Sequence, residues 1–514
     1  MRILPLSPGG RTPLSNQTDS VYRTFQKLIR RWLRLFFREV VVEGIENIPT
    51  DRGGLLIAGH PNGLVDPALI MAVFPRRIVF GARHGLFSLP VLGWFIKRLG
   101  TVPIYRAGDQ SDLSSVERKQ ANERSLDGLA EEVAGGSFSA LFPEGLSHDL
   151  SHLSEIKTGA ARLYYQARDM QPAGQPAPVI IPVGLHYDRK NVFRSRVLVS
   201  FQPSLQLPAE IDITPGENDS ARRGAVKGLT ELIETCLIRV VGATEDWHIH
   251  HLMHRASKLV QAELVHRAGA DYKTPSLAES RLGYARIWDG YQARRKTDPD
   301  RLEAFRSRIA RYDRCLRLLG LEDHELTALP RMASPILVSM FLAQAIAVYL
   351  LFPPILVLGT IINILPYVLL KLITRRISQS KKDEATLKLI GGAVLFPLTW
   401  ALAGVAAWFA QHELRVLFPA LPDLAVLVVL TTVAIGILGG FLALVYSELS
   451  AETYRAMRVR VLRRRRKALI GELLEDRSEL CSELLVLGEG LSLRGIRQPD
   501  GGLVPVPAVT ALTS

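Results

Sequence analysis

A chain of 514 residues with 63 lysines and arginines against 50 aspartates and glutamates carries a net charge of +13, so it has room for more than one domain and a surface that favours anionic partners. Its three cysteines, Cys236, Cys315 and Cys481, are widely separated and odd in number, which argues against a disulfide framework or cysteine-based zinc site and for a reducing compartment. Mean hydropathy is nonetheless +0.14, so the apolar residues are concentrated in particular stretches.

Residues 1–20 are rich in Pro, Gly, Ser and Thr, with no apolar core of secretory-signal length, and are expected to be disordered. Residues 21–38 read as an amphipathic helix: Phe25, Leu28, Ile29, Trp32, Leu33 and Phe36 on one side, arginines on much of the rest. That pattern fits a helix lying on a membrane surface, or one docked on its own domain.

From residue 39 to 223 short apolar runs alternate with helical patterns. Strands are predicted at Val40–Glu43, Leu55–Ala58, Ile78–Ala82, Thr101–Ile104, Ser139–Phe142, Val179–Leu185 and Val197–Phe201. Helices are predicted between several of them, at Ala68–Phe74, Val91–Leu99, Ser115–Val133 and Lys157–Arg168. The alternation predicts an α/β domain with a mostly parallel sheet flanked by helices, whose ligands collect at the carboxyl ends of the strands.

A charged helical extension covers 224–330. A membrane region then spans 335–447, with candidate passes at 335–352, 355–373, 389–410 and 424–446, each close to the ~20 residues a bilayer core requires. The first two are short and separated by Pro353-Pro354, so they could form one tight hairpin. Basic residues cluster between the second and third passes (Lys371 to Lys382) and after the fourth (Arg455 to Lys467). By the positive-inside rule both clusters, and the α/β domain, face the cytoplasm. The Arg463–Arg466 run directly after a membrane pass points to acidic lipid headgroups as its partner and not to nucleic acid. Residues 448–514 read as a basic helix and a loose tail.

Chemistry is expected at four strand ends. His60 follows the run Leu55–Ala58, with Asp66 six positions on, as a general base and the carboxylate that orients it. Arg106 ends GTVPIYR and offers a bidentate grip for a phosphate. Glu144 and Gly145 end FPEG, a carboxylate beside a residue that permits close backbone approach. Pro182 interrupts a buried strand and is a candidate wall for an acyl channel. Lys157 opens a helix near the same rim as a candidate phosphate or coenzyme A contact. The histidines of WHIHHLMHR (248–254) lack the carboxylate or cysteine framework of a metal site and read as a surface helix. His148 is expected to shape the loop beside Glu144.

In order and spacing these blocks resemble the glycerolipid acyltransferase superfamily, over about Val40–Phe201. The strings HPNGLVDP, FPEGLSHD and NVFRSRVLVSF, with ILPY at Ile364–Tyr367, look most like the branch containing the fungal glycerol-3-phosphate/dihydroxyacetone-phosphate acyltransferases and their bacterial relatives. The common motif of the superfamily has four residues between His and Asp; here five intervene, Pro61–Val65, as in that branch. The resemblance implies a membrane-bound O-acyltransferase that moves a fatty acyl chain from acyl-CoA or acyl-carrier protein, as co-substrate, to glycerol 3-phosphate or 1-acylglycerol 3-phosphate. His60 would be the base, Asp66 its partner, Arg106 with Glu144 and Gly145 the acceptor-phosphate site, and Pro182 would lie nearer the donor. No metal or other cofactor is implied. The alternatives are a lysophospholipid-remodelling acyltransferase and a non-catalytic lipid-binding scaffold of the same fold.

Overall fold

The computed structural model describes residues 16–88, 90–105, 114–172, 174–213, 219–327, 353–377 and 381–505, together with Ser339, Leu342 and Ile346. Most of the predicted pass 335–352, and Arg106, lie outside them. The chain divides into two units, Met1–His250 with Lys381–Thr386, and His251–Ser380 with Leu387–Ser514.

The first unit is built on a seven-stranded sheet: β1 (Glu39–Glu43), β2 (Gly54–Ala58), β3 (Ile78–Arg83), β4 (Val102–Ile104), β5 (Phe138–Leu141), β6 (Val179–Tyr187) and β7 (Arg196–Phe201) in the order β1-β7-β6-β2-β5-β3-β4. Every neighbouring pair is parallel except β6–β7. Each strand coincides with a predicted run to within a residue or two. The run Leu55–Ala58 is wholly buried because helices cover both faces. On one face Leu55 and Ile57 pack with α4 (Ser115–Ala134), α5 (Gly159–Asp169) and α6 (Asp219–Val241). Leu229, Ile233 and Leu237 of α6 belong to that core, so the expected domain boundary at 223 falls too early. The chain continues into the sheet's own helical layer up to His250.

The first helix, α1 (Asn16–Phe36), corrects two expectations. It begins inside the segment expected to be disordered, and its apolar side is largely occupied. Tyr22, Leu33 and Phe36 are buried, Phe25 packs edge-on against Phe95 with centroids 4.5 Å apart, and Gln26 donates to the carbonyls of Met71 and Phe74 at the end of α2 (Val65–Val73). Leu28 and Leu35 stay exposed. The helix is docked on its own domain through these buried side chains.

The second unit is helical. It contains α7 (Trp247–Arg267, from His251 onward), α8 (Leu277–Thr297), α9 (Pro299–Leu319) and α13 (Lys467–Gly488), and α7, α9, α13 and the turn at Asp323 share a buried ion network. Arg255 reaches Asp313 at 2.7 Å and Asp323 at 2.5 Å; Arg477, fully buried, reaches Glu263 at 2.9 Å and the carbonyl of Asp323 at 2.7 Å. The surrounding carboxylates hold the Arg255 guanidinium far above its usual range. The tail is also more ordered than expected: Leu503–Val504 pairs antiparallel with Ile496–Arg497, and Leu503 is buried.

Among the described residues three helices are long and apolar enough to cross a membrane, at Val357–Arg376, Thr386–Leu417 and Ala425–Leu444. They lie in α10 (Pro353–Ile377), α11 (Lys381–Leu417) and α12 (Ala425–Arg465), matching the last three of the four predicted passes. α12 runs without interruption from its apolar half into the basic stretch that sequence alone assigns to a separate helix. Asn363 ties the three together: its amide nitrogen donates to the carbonyls of Gly359 and Gly436 at 2.7 Å, and its oxygen accepts from Trp400 Nε1 at 3.0 Å. A Cβ at Gly359 would lie 2.5 Å from the Gly439 Cα, so glycine is what lets these two backbones touch.

Candidate active site

The sheet register brings the site together. Ile57 of β2 is paired with Leu141 of β5, and three residues beyond each come His60 and Glu144. On the other side Ile57 is paired with Pro182 of β6, whose carboxyl end is Tyr187. Three adjacent parallel strands therefore deliver a histidine, a carboxylate and a phenol to one rim, where open α/β sheets bind ligands.

His60 Nδ1 lies 2.8 Å from Asp66 Oδ2. Asp66 sits in the first turn of α2 and is completely buried, with Oδ2 also accepting the Asn62 amide at 2.7 Å and Oδ1 accepting the Tyr187 hydroxyl at 2.5 Å. With the amide and the phenol both donating to Asp66, the tautomer that completes the set carries its hydrogen on His60 Nδ1 and leaves the Nε2 lone pair toward the rim. Burial, reinforced by the Asp66 charge, pushes the Tyr187 phenol well above its ordinary range and keeps it a donor. The His60 ring stacks on Phe142 with centroids 4.0 Å apart and is 14% exposed, so it is held in place yet reachable. The five-residue His–Asp spacing closes without strain on the ring: the intervening turn is held by the Asp66 carboxylate itself.

Glu144 is turned inward beneath the rim. The resemblance assigns it to the acceptor phosphate, but it is 2% exposed and both oxygens are engaged. Oε1 accepts the main-chain amide of His60 at 3.2 Å; Oε2 accepts the Ser154 amide at 2.8 Å and contacts His148 Nε2. His148 Nδ1 accepts the Leu150 amide, so Nε2 carries the proton that it gives to Glu144. The carboxylate fastens the two strand-end loops together.

Gly145 has a φ of +69°, a conformation that favours glycine, and it turns the chain out of the strand immediately after Glu144. Lys157 is exposed beside it, paired with Glu155 at 2.5 Å, and precedes α5 instead of opening it. Pro182 is buried in the ladder between β2 and β7, its carbonyl accepting the Gln202 amide at 2.9 Å; it contributes to the sheet beneath the rim. β4, after which Arg106 falls, is the edge strand beyond β3, three strands from β2 and thus about 14 Å away at the usual spacing.

Two contributors escape a sequence reading. Tyr187 carries no motif, and its position at the carboxyl end of an apolar strand is the only signal for it. Lys190 pairs with Asp149 and donates to the Pro61 carbonyl at 3.3 Å, while Asn62 Nδ2 donates to the Lys190 carbonyl at 3.2 Å, so the loop after β6 braces the histidine turn. The histidines at 248–254 go to separate partners, His251 to Asp313 at 3.0 Å and His254 against the Tyr284 ring.

A buried acid, a histidine ring hydrogen-bonded to it and a sheet rim thus meet at one place. Residues 39–186 match the family model described as acyltransferase, a match that supports a place in the glycerolipid acyltransferase superfamily. More narrowly, residues 282–489 match the glycerol-3-phosphate acyltransferase 2 C-terminal domain. Similar proteins include an uncharacterized acyltransferase of Schizosaccharomyces pombe, 22% identical over 61% of this chain and 56% of that protein. Glycerol-3-phosphate O-acyltransferase 2 of Saccharomyces cerevisiae is 31% identical over 37% of this chain and 23% of its own length. The chain thus matches about half or less of the length of these curated relatives. The crystal structure of a 1-acyl-sn-glycerophosphate acyltransferase from Thermotoga maritima aligns with 44% of this chain and 84% of its own at 21% identity and a TM-score of 0.29.

Proposed function

We propose that this protein is a membrane-bound O-acyltransferase that transfers a fatty acyl group from acyl-CoA or acyl-carrier protein to glycerol 3-phosphate or 1-acylglycerol 3-phosphate in phospholipid synthesis, with the catalytic domain on the cytoplasmic face. His60 Nε2 takes the proton of the acceptor hydroxyl as its oxygen attacks the thioester carbonyl. The tetrahedral intermediate collapses with cleavage of the C–S bond, and the imidazolium returns the proton to the departing thiolate. Asp66 stabilises the imidazolium and Tyr187 steadies Asp66. Arg106 binds the acceptor phosphate, with Gly145 and Lys157 on the same rim, and Pro182 lies toward the acyl donor. Glu144 contributes by holding the His60 main chain.

The observation that carries this reading is the 2.8 Å contact between His60 Nδ1 and the buried Asp66 carboxylate. The test is transfer of radiolabelled acyl groups by the purified chain in lipid, across a panel of glycerol 3-phosphate, dihydroxyacetone phosphate, lysophosphatidate and lysophosphatidylethanolamine. His60→Ala should lose about 10²–10⁴-fold in rate; a variant as active as the parent would refute the base. Preference for the phosphate monoesters supports the proposed acceptors, and preference for lysophosphatidylethanolamine would replace them with remodelling.

A further inference from the structure

The helical unit contains a cavity of about 370 Å³ that acyl transfer in the first unit does not use. Its walls are the apolar sides of four helices: Leu252 and Val260 from α7, Gly290 from α8, Phe305 and Ile309 from α9, and Leu484 from α13. That is the size and lining of a small-molecule site.

The polar groups at this cavity are unbalanced. Arg286, Arg294, Arg306 and Arg497 all line it, against one lining carboxylate, the exposed Glu489. Arg294 gives its donors to the carbonyls of Leu487 and Glu489 at 2.7 Å. Arg286 spreads a single nitrogen over the carbonyls of Leu493, Arg494 and Gly495, at 3.0 to 3.3 Å. Among the described residues Arg497 reaches the Gly501 carbonyl, at 3.4 Å. Arg306 pairs with Glu303 through one nitrogen, while its Nε is buried with no hydrogen-bond partner among the described residues. Burial and the neighbouring Arg286 charge push the Arg497 guanidinium down to about 10, although Glu279 offsets part of this. Carbonyl dipoles satisfy hydrogen-bonding capacity but do not neutralise a desolvated charge.

We infer that this cavity is a binding site for a single-chain anionic amphiphile, its alkyl chain among the α7, α9 and α13 side chains and its carboxylate or phosphate monoester head on Arg286, Arg306 and Arg497. An anion there supplies charge-assisted bonds to Arg286 and Arg497, which meet carbonyls, and to the open Nε of Arg306. The site lies wholly within the helical unit and its test reads binding, so it stands apart from the acyl-transfer reading.

The test uses the full chain in phosphatidylcholine nanodiscs, irradiated with a dodecyl phosphate bearing a terminal diazirine, with adducts mapped by peptide mass spectrometry. Labelling is expected on peptides containing Leu252–Val260, Phe305–Ile309 and Leu484, saturable and competed by unlabelled dodecyl phosphate or dodecanoate. Competition by only one of these two identifies the head as phosphate or carboxylate. Arg497→Gln should weaken labelling about tenfold, as loss of one charge-assisted bond does. Gly290→Phe should abolish it by filling the cavity: a Cβ there meets nothing closer than Leu493 Cδ2 at 3.8 Å, so the helix accepts the side chain. Melting curves of both variants accompany the labelling. Adducts confined to residues 54–201 or 353–444 would overturn the site. Equal competition by inorganic phosphate or by dodecanol would also overturn it, as would labelling unchanged in both variants.

Discussion

Glu144 binds the backbone of His60, not its ring: its Oε1 stands 3.2 Å from the His60 amide nitrogen while its other oxygen serves Ser154 and His148. His60 is thus held at two points by two acids, its ring by Asp66 and its main chain by Glu144.

Replacing Glu144 with Gln should therefore act on the loop. One buried amide loses its anionic acceptor, which costs about 1–3 kcal/mol. The expected result is a lower melting temperature and a fall in kcat with little change in acceptor KM; a large rise in KM alone would restore Glu144 to the phosphate site.

Asp66→Asn offers an amide where Nδ1–H needs an acceptor, favouring the wrong tautomer. A rate loss of ~10²–10⁴-fold with acceptor KM retained is expected in steady-state kinetics. Tyr187→Phe, which removes one of the bonds to the same carboxylate, should cost less in rate and about 1.5–3 kcal/mol in stability.

These two variants also mark what a sequence can and cannot convey. His60 and Asp66 are six residues apart and share a local turn, so their partnership is legible from the chain. Glu144 and Tyr187 join them only through strand pairing, 84 and 121 residues away, and no local pattern encodes which strands are neighbours. The same holds for direction. Seven apolar runs are plain to see, but that β7 turns antiparallel to β6 is a matter of connection and not of composition. The amphipathic α1 has a face that suits a membrane or a neighbouring helix equally well, and only packing decides between them.

Alkaline stability should be set partly by Tyr165, whose hydroxyl donates to the Ile211 carbonyl and whose phenol is pushed up to about 12, first by burial. A phenol that keeps its proton longer when folded stabilises the fold fully below the unfolded value near 10, and that contribution fades as pH rises from 10 to about 12. Denaturant midpoints measured across this window should fall less steeply in Tyr165→Phe.

In the three long apolar helices, Asn363→Leu strands the Trp400 N–H and frees two carbonyl contacts, at about 0.6–2 kcal/mol for each lost bond. Gly359→Leu should be worse, since its side chain meets the Gly439 backbone. Unfolding of the chain in mild detergent with added dodecyl sulfate ranks the two.

Arg477→Ala should cost about 1–3 kcal/mol, because the buried Glu263 loses one of its two guanidinium partners and keeps only Arg267. Thermal unfolding of the full chain measures it.

The 41 residues of α12 form one rod about 60 Å long, of which the last ~30 Å, beyond Leu444, bears the arginines up to Arg465. With its apolar half standing in a bilayer, a thinner or thicker membrane changes the tilt of that half, and a stiff rod acts as a lever. A tilt of ~10° swings the arginine end sideways by about 5 Å, so bilayer thickness becomes readable as the position of a cationic tip.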